Sequence, residues 1–234
     1  MKSTLIIPLA LMALLAACSS DKQKPTLPKI MYSAAKTMLA KKPDPAKARR
    51  AVEALSREQL TGLGSNPVIL VDIEISQQYA SLFQISENNG TAVFISGDQK
   101  TLSFSKGLLS ATRGLGADLM SLDMTQSRAA LQSRTTGPRQ TRRIHRMLDG
   151  EGIMRATNYD CTLRPLGTER LVSIHKTFTL SHVQETCRAQ GQQAVAYTND
   201  YWLDPRTKVI WKSRQWAGPV IGYLGIEVLI PENS

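Results

Sequence analysis

From Pro67 onward, apolar and polar residues alternate with a period of about two, in short runs separated by turn residues. This constrains the fold more than any other feature, because a two-residue period places side chains on opposite faces of a strand. VILVDIEI (68–75), YASLFQIS (79–86) and GTAVFISG (90–97) read as strands, the last two joined by the hairpin turn Glu87-Asn88-Asn89-Gly90. Strands are also expected at Thr101–Phe104 and Leu108–Thr112. Residues 114–136 hold Gly114 and Gly116 and read as irregular or briefly helical, ending at the turn Gly137-Pro138.

The second half is again β, with runs at 140–148, 153–163, 170–178, 180–188, 194–203, 209–216 and 222–230. In the second of these, Ile153, Thr157, Tyr159, Cys161 and Leu163 share one parity, with Arg155 among them. Turns at 149–152, 204–207 and 218–219 are too tight for crossover helices, so neighbours run antiparallel. About a dozen such strands curl rather than stay flat. The expected fold class is mainly β: an antiparallel meander curled into a partly closed barrel-like sheet, with two N-terminal helices. The first helix is expected near 29–40, where Ile30, Ala34 and Met38 form a stripe. The second is expected near 45–61, capped by Asp44, with Pro45 in its first turn and Gly62 past its end.

The N-terminus carries a different signal. Lys2 precedes an apolar run, Leu5–Ala17, that is too short to span a hydrocarbon core of about 30 Å. Leu15-Ala16-Ala17-Cys18 has the pattern of a bacterial lipobox, whose cysteine receives diacylglycerol before cleavage and whose new amine is then acylated, commonly with palmitate. The organisation read from this is a lipoprotein signal peptide (1–17), a lipidated flexible tether (18–28) and one β-rich domain (29–234). Ser19, rather than aspartate, follows the cysteine, which directs such proteins to the outer membrane, lipid-anchored on its periplasmic face. The membrane is then a partner through the lipid.

The mature chain would have 217 residues (234 − 17) and a formal charge of +9, one less than the full chain's +10 because Lys2 is removed. Such a balance commonly marks nucleic-acid binding, but export excludes that partner and leaves an acidic polysaccharide or anionic lipid. Three cysteines are present. With Cys18 taken by lipid, Cys161 and Cys187 form an even pair in an oxidising compartment, so a disulfide is expected. His175 and His182 lack regular ligand spacing with these thiols, so neither a metal nor another cofactor is expected.

Motifs for hydrolysis, phosphate binding or dinucleotide binding are missing from the sequence. His145, His175 and His182 each fall on expected strands, where a lone histidine is more often structural than catalytic. Six arginines, Arg128, Arg134, Arg139, Arg142, Arg143 and Arg146, crowd into nineteen positions. On one strand, Arg142 and Arg146 face one side while Arg143 and His145 face the other. Such a cluster can grip carboxylates, or simply keep an edge strand charged and soluble. Trp202, Trp211 and Trp216 lie near the end of the chain with Tyr197, Tyr201 and Tyr223. They suit sugar stacking, but filling a β core is the better reading. Arg113, between a strand and Gly114, has little structural reason to be there unless it pairs with Asp118.

SKGLLSATRGLGADLMS (105–121) resembles the T-R-G-L-G-x-D-L segment of the YjbF/GfcB family of lipoproteins. NDYWLDPRTKVIWKSRQWAGPVIGYLGIEVLIP (199–231) is similar to that family's C-terminal end, and YDC (159–161) and TC (186–187) sit where its cysteine pair is expected. The resemblance implies an outer-membrane lipoprotein associated with exopolysaccharide or group 4 capsule secretion, a barrel-like β meander and no enzymatic activity. Three readings stay open at this point. The leading one is a non-catalytic accessory factor that binds glycan or a secretion protein, through a site drawn from Arg113, Asp118, Arg142, Arg143, Arg146, Trp202, Trp211 and Trp216. The others are a glycan-modifying enzyme centred on Asp118 or His145, and a purely structural envelope tether.

Overall fold

The computed structural model describes residues 66–133, 137–149, 151–173 and 176–231, together with Arg50. Cys18, the signal and tether segments, the helix expected at 29–40 and, apart from Arg50, the helix expected at 45–61 lie outside the described residues.

Twelve strands form one sheet. The first meander comprises β1 (Val68–Ile73), β2 (Gln78–Asn88), β3 (Thr91–Ile95), β4 (Thr101–Ser105) and β5 (Leu108–Arg113). The second comprises β6 (Leu119–Asp123), β7 (Arg139–Leu148), β8 (Met154–Ser173), β9 (Lys176–Ala189), β10 (Tyr197–Leu203), β11 (Ile210–Trp216) and β12 (Tyr223–Ile230). Every pairing is antiparallel, in the order β5-β4-β3-β2-β1-β12-β11-β10-β9-β8-β7-β6. The first and last strands pair with each other, so the two edges of the sheet are the consecutive strands β5 and β6. At the β2–β3 hairpin Asn89 (φ 49°) and Gly90 (φ 71°) both take the left-handed conformation that a tight turn between twisted strands requires.

The expectation of two N-terminal helices is corrected. The helix among the described residues is α1 (Thr125–Gln132), which connects β6 to β7. It forms within the stretch after Gly114 and Gly116 that reads as irregular or briefly helical. Those glycines serve the β5–β6 turn, and the TQSRAALQ that follows contains neither glycine nor proline. Ser127 and Leu131, one turn apart, are its buried positions. The strand read at 153–163 runs on through Ser173 as the twenty-residue β8, so the run read at 170–178 is divided between the end of β8 and the start of β9. Pro165 and Gly167 make a bulge in its pairing with β9 rather than a break, and β8 meets β9 through Ser173 and Lys176.

The barrel is nearly closed, and side chains complete it. Across the β5–β6 seam, the Leu119 amide donates to Thr112 Oγ1 (3.0 Å), and Thr112 Oγ1 donates to Asp118 Oδ1 (2.8 Å). The walls also meet through the interior. Gln215 of β11 accepts from the Leu109 amide and donates to Gly107 O, each at 2.9 Å. A Cβ at Gly107 (φ +81°) would lie 2.9 Å from Ile210 Cβ on the facing wall. Glycine there lets the walls close onto a filled core that includes Ile69, Val71, Leu82, Phe94, Phe104, Leu108, Leu119, Leu203, Ile210 and Leu224. A second cluster, of Tyr159, Cys161, Cys187 and Tyr197, packs with Trp216 and Tyr223 nearer one end. There Cys161 and Cys187, directly opposite on β8 and β9, form a disulfide with Cα atoms 4.1 Å apart. Closing the 26-residue separation stabilises the fold by about 3.5 kcal/mol in the chain-entropy treatment.

Candidate functional site

Arg113 ends β5 at the seam. Its guanidinium donates to the carbonyls of Thr112 (2.6 Å), Leu119 (3.1 Å) and Met120 (3.2 Å), so it binds the backbone of β6 across the gap between the edges. Asp118 does not pair with it. Its carboxylate accepts from Thr112 Oγ1 and from the amides of Gly114 (2.8 Å) and Leu115 (3.1 Å), which shapes the turn. The two residues singled out from sequence therefore share one seam and hold it by separate bonds.

Alternation along β7 divides the arginine cluster. Arg142 is exposed and sits 3.4 Å from Asp160 of β8, its cross-strand neighbour. Arg143 is buried and points into the barrel, and Arg146 is half-buried. Arg128 of α1 donates to Ser105 Oγ (2.9 Å), and Arg134 lies outside the described residues. Arg143 Nε donates to Glu185 Oε1 (3.0 Å) and its Nη2 to Tyr201 Oη (2.9 Å). Tyr201 in turn donates to Glu185 Oε2 (2.8 Å), which also accepts from Asn199 Nδ2 (3.1 Å), while Ser127 of α1 donates to Glu185 Oε1 (2.5 Å). Burial opposes the charge on Arg143, but the Glu185 carboxylate outweighs it and holds the guanidinium more firmly protonated than usual. This network joins β7, β9, β10 and α1, with every charge sealed from solvent.

His145, next to this network, has its Nε2 2.9 Å from Tyr197 Oη and packs its ring against Tyr159, Tyr197 and Trp216. Its Nδ1 is buried without a hydrogen-bond partner. Burial first, and Arg143 second, push its pKa down to about 3, so it stays neutral. The enzyme reading called for a cleft bringing His145 and a carboxylate together. The described surroundings of His145 are aromatic instead.

Each tryptophan packs a ring face against a neighbour. Trp216 stacks on Tyr197 (4.6 Å, 5°) and Trp211 packs on Phe178 (4.4 Å). Trp202 stacks on His182 (4.5 Å, 16°), with Lys212 Nζ 5.4 Å from its centroid. Around Trp202 lies a cluster that sequence reasoning missed. His182 Nδ1 lies 2.6 Å from Glu169 Oε1 and its Nε2 2.8 Å from Asp200 Oδ1, while Trp202 Nε1 donates to Glu169 Oε2 (2.7 Å). The Trp202 N–H, and then His182, hold the Glu169 carboxyl below the usual carboxylate range. Beyond the bulge the β8–β9 hairpin also meets β11 through Phe178–Trp211 and β12 through Ser173–Glu227. The cluster therefore clasps a bent hairpin arm to the barrel wall. Strand parity hints at the buried network, because Glu185 shares the parity of Cys187, and Asn199 that of Tyr197 and Tyr201. The clasp carries no such hint, since the register that sets Glu169 diagonally across from His182 follows the shift at Pro165–Gly167.

Residues 33–229 match the family model described as YjbF, group 4 capsule polysaccharide lipoprotein gfcB. The chain belongs to the YjbF/GfcB family. No curated protein matches its sequence significantly. Among solved structures, the hypothetical lipoprotein YmcC from Escherichia coli (K12) is similar in fold, with a TM-score of 0.66 at 17% identity over 83% of this chain and 100% of that one. In this YjbF/GfcB member, the segment 105–121 builds the seam and the segment 199–231 builds β10–β12. The most specific stretches of the sequence thus close the barrel and fill its far wall.

Proposed function

We propose that this protein is an outer-membrane lipoprotein, acylated at Cys18, that serves as a non-catalytic accessory factor in the production or export of a surface polysaccharide. The observation that carries this reading is the family match across residues 33–229, and the lipobox at Leu15–Cys18 agrees with it. The architecture supports a role without catalysis: the conspicuous ionisable groups are spent on backbone and hydroxyl groups at the seam and on one another in the core network and the clasp. Among the proposed contact residues, Arg113 and Arg142 are exposed cations that a polysaccharide carboxylate or a secretion protein can reach. Arg143 supports the barrel from inside. Arg146, Trp202, Trp211 and Trp216 are half-buried and offer edges to a partner rather than open faces.

The test is deletion of the gene followed by measurement of surface polysaccharide. We expect loss of polymer, restored by the wild-type chain and restored poorly by Arg113→Ala at equal protein abundance. Unchanged polymer in the deletion strain would refute the role. Full restoration by Arg113→Ala would remove that residue from the site.

A further inference from the structure

Six of the large apolar side chains that the described residues leave exposed gather at one end of the barrel. They are Ile75 in the β1–β2 turn, Val220 in the β11–β12 turn, Val195 before β10, and Leu148, Ile153 and Met154 around the β7–β8 turn. Because the sheet runs β2-β1-β12-β11-β10-β9-β8-β7, these four hairpin ends are consecutive along the rim. Ile75 packs beside Gly222 of the neighbouring turn, so the patch continues from one hairpin to the next. Aliphatic side chains scattered singly over a surface need no explanation, but a contiguous row of them does.

The charges at this rim are few and mostly neutralised in place. Residues 190–196 and 217–222 contain no charged side chain. Glu74 is held by Arg214 through two 2.7 Å bonds, and Asp149 by Arg155 at 2.8 Å, leaving Glu151 and Arg188, whose guanidinium donates to the Gln193 carbonyl (2.9 Å). A crescent of this kind, on a molecule whose formal charge is +10, is matched to hydrocarbon beneath a headgroup layer rather than to a polyanion.

The position of Cys18 supplies the occupant. Fifty residues separate it from Val68 (68 − 18), a length that spans at most about 170 Å when extended. Six-residue β1 is only about 20 Å long. That upper bound exceeds the length of the strand, so the distance along the chain from Cys18 does not fix which end of the barrel meets the bilayer, although β1 begins at the end opposite the apolar rim. The rim, not the tether, then sets the orientation. We propose that this rim is a membrane-docking face, which seats the hairpin tips carrying Ile75, Met154, Val195 and Val220 in the interfacial layer of the bilayer that holds the anchor. The identity of that bilayer rests on the acylation of Cys18 proposed above.

The test uses the chain from residue 18 onward with Cys18→Ser, which carries no lipid. It is sedimented with vesicles of phosphatidylethanolamine containing a minor share of phosphatidylglycerol, at low and high salt. We expect the protein to partition onto the vesicles with little dependence on salt. Ile75→Asp with Val220→Asp, at positions 68% and 61% exposed and so tolerant of charge, should lower partitioning by about tenfold. Val172→Asp, at the opposite end and 73% exposed, should leave it unchanged. Failure of the unlipidated chain to sediment, binding abolished by salt, or a double variant that binds like wild type would each overturn the proposal. So would a dimer in solution that the double variant dissolves, since that assigns the rim to a second copy. None of these outcomes bears on acylation, which mass spectrometry of Cys18 from detergent-extracted membranes reads separately.

Discussion

Two neighbours on β7 show how one residue step decides a side chain's role. Arg142 faces water, while Arg143 faces the interior and depends on Glu185, Tyr201 and Ser127 for all that water would have supplied. Truncating one member of a buried ion pair strands the other. Arg143→Met is therefore expected to lower stability by about 3–5 kcal/mol in denaturant titration, whereas Arg143→Met with Glu185→Leu should recover much of that loss. His145 makes a different prediction. In the folded protein it stays neutral down to about pH 3, but unfolded it takes a proton near its ordinary value of 6.5. Between these values the unfolded state binds more protons, so this contribution is complete above about pH 6.5 and declines as pH falls towards 3. The slope is about 1.4 kcal/mol per pH unit. His145→Gln should flatten the stability profile by about one proton over that window, as followed by thermal melts.

At the level of elements, the two edge strands pose the main physical problem, because an open β edge leaves backbone groups unpaired. Here the edges meet each other, and side chains from Thr112, Arg113, Asp118 and Gln215 supply bonds that a backbone ladder does not. Gln215→Leu keeps the volume but removes the partners of the Leu109 amide and the Gly107 carbonyl. We expect a loss of about 1–3 kcal/mol, and hydrogen exchange at Leu109 faster than at the amides of β1. The segment T-R-G-L-G-x-D-L was legible as a motif before its purpose was. Its threonine, arginine and aspartate are seam residues, and its glycines make the turn between the two edges.

For the whole molecule, the pairing of β1 with β12 turns two meanders into one barrel and brings the two ends of the β-rich body together at one pole. The apolar hairpin tips lie at the other. Cys18→Ser is expected to leave the protein held on the membrane only peripherally, through the apolar rim, so that repeated washing strips it where the acylated chain requires detergent. The far-ultraviolet circular dichroism spectrum should stay unchanged, because exchanging a thiol for a hydroxyl outside the strands removes no hydrogen bond of the sheet. Persistence in the membrane fraction through washing would count against the lipid as the sole anchor.

Much of this was written in local sequence. The two-residue period marked most of the strands, Asn89-Gly90 marked its hairpin, and the even cysteine count pointed to the bond between Cys161 and Cys187. These are readable because alternation and turn chemistry depend on residues a few positions apart. The continuity of β8 through Pro165 and Gly167 escaped such reading, and the stretch beyond the glycines read as irregular or briefly helical without the bounds of α1. Local breakers looked decisive there until the partner strand β9 and the core that buries Ser127 and Leu131 overrode them. Parity could separate Arg142 from Arg143 but could not tell which of them faced inward. The inward face, the strands that close the barrel and the side chains that mend its seam are chosen by contacts between distant residues. Those contacts have no energy until the chain has folded.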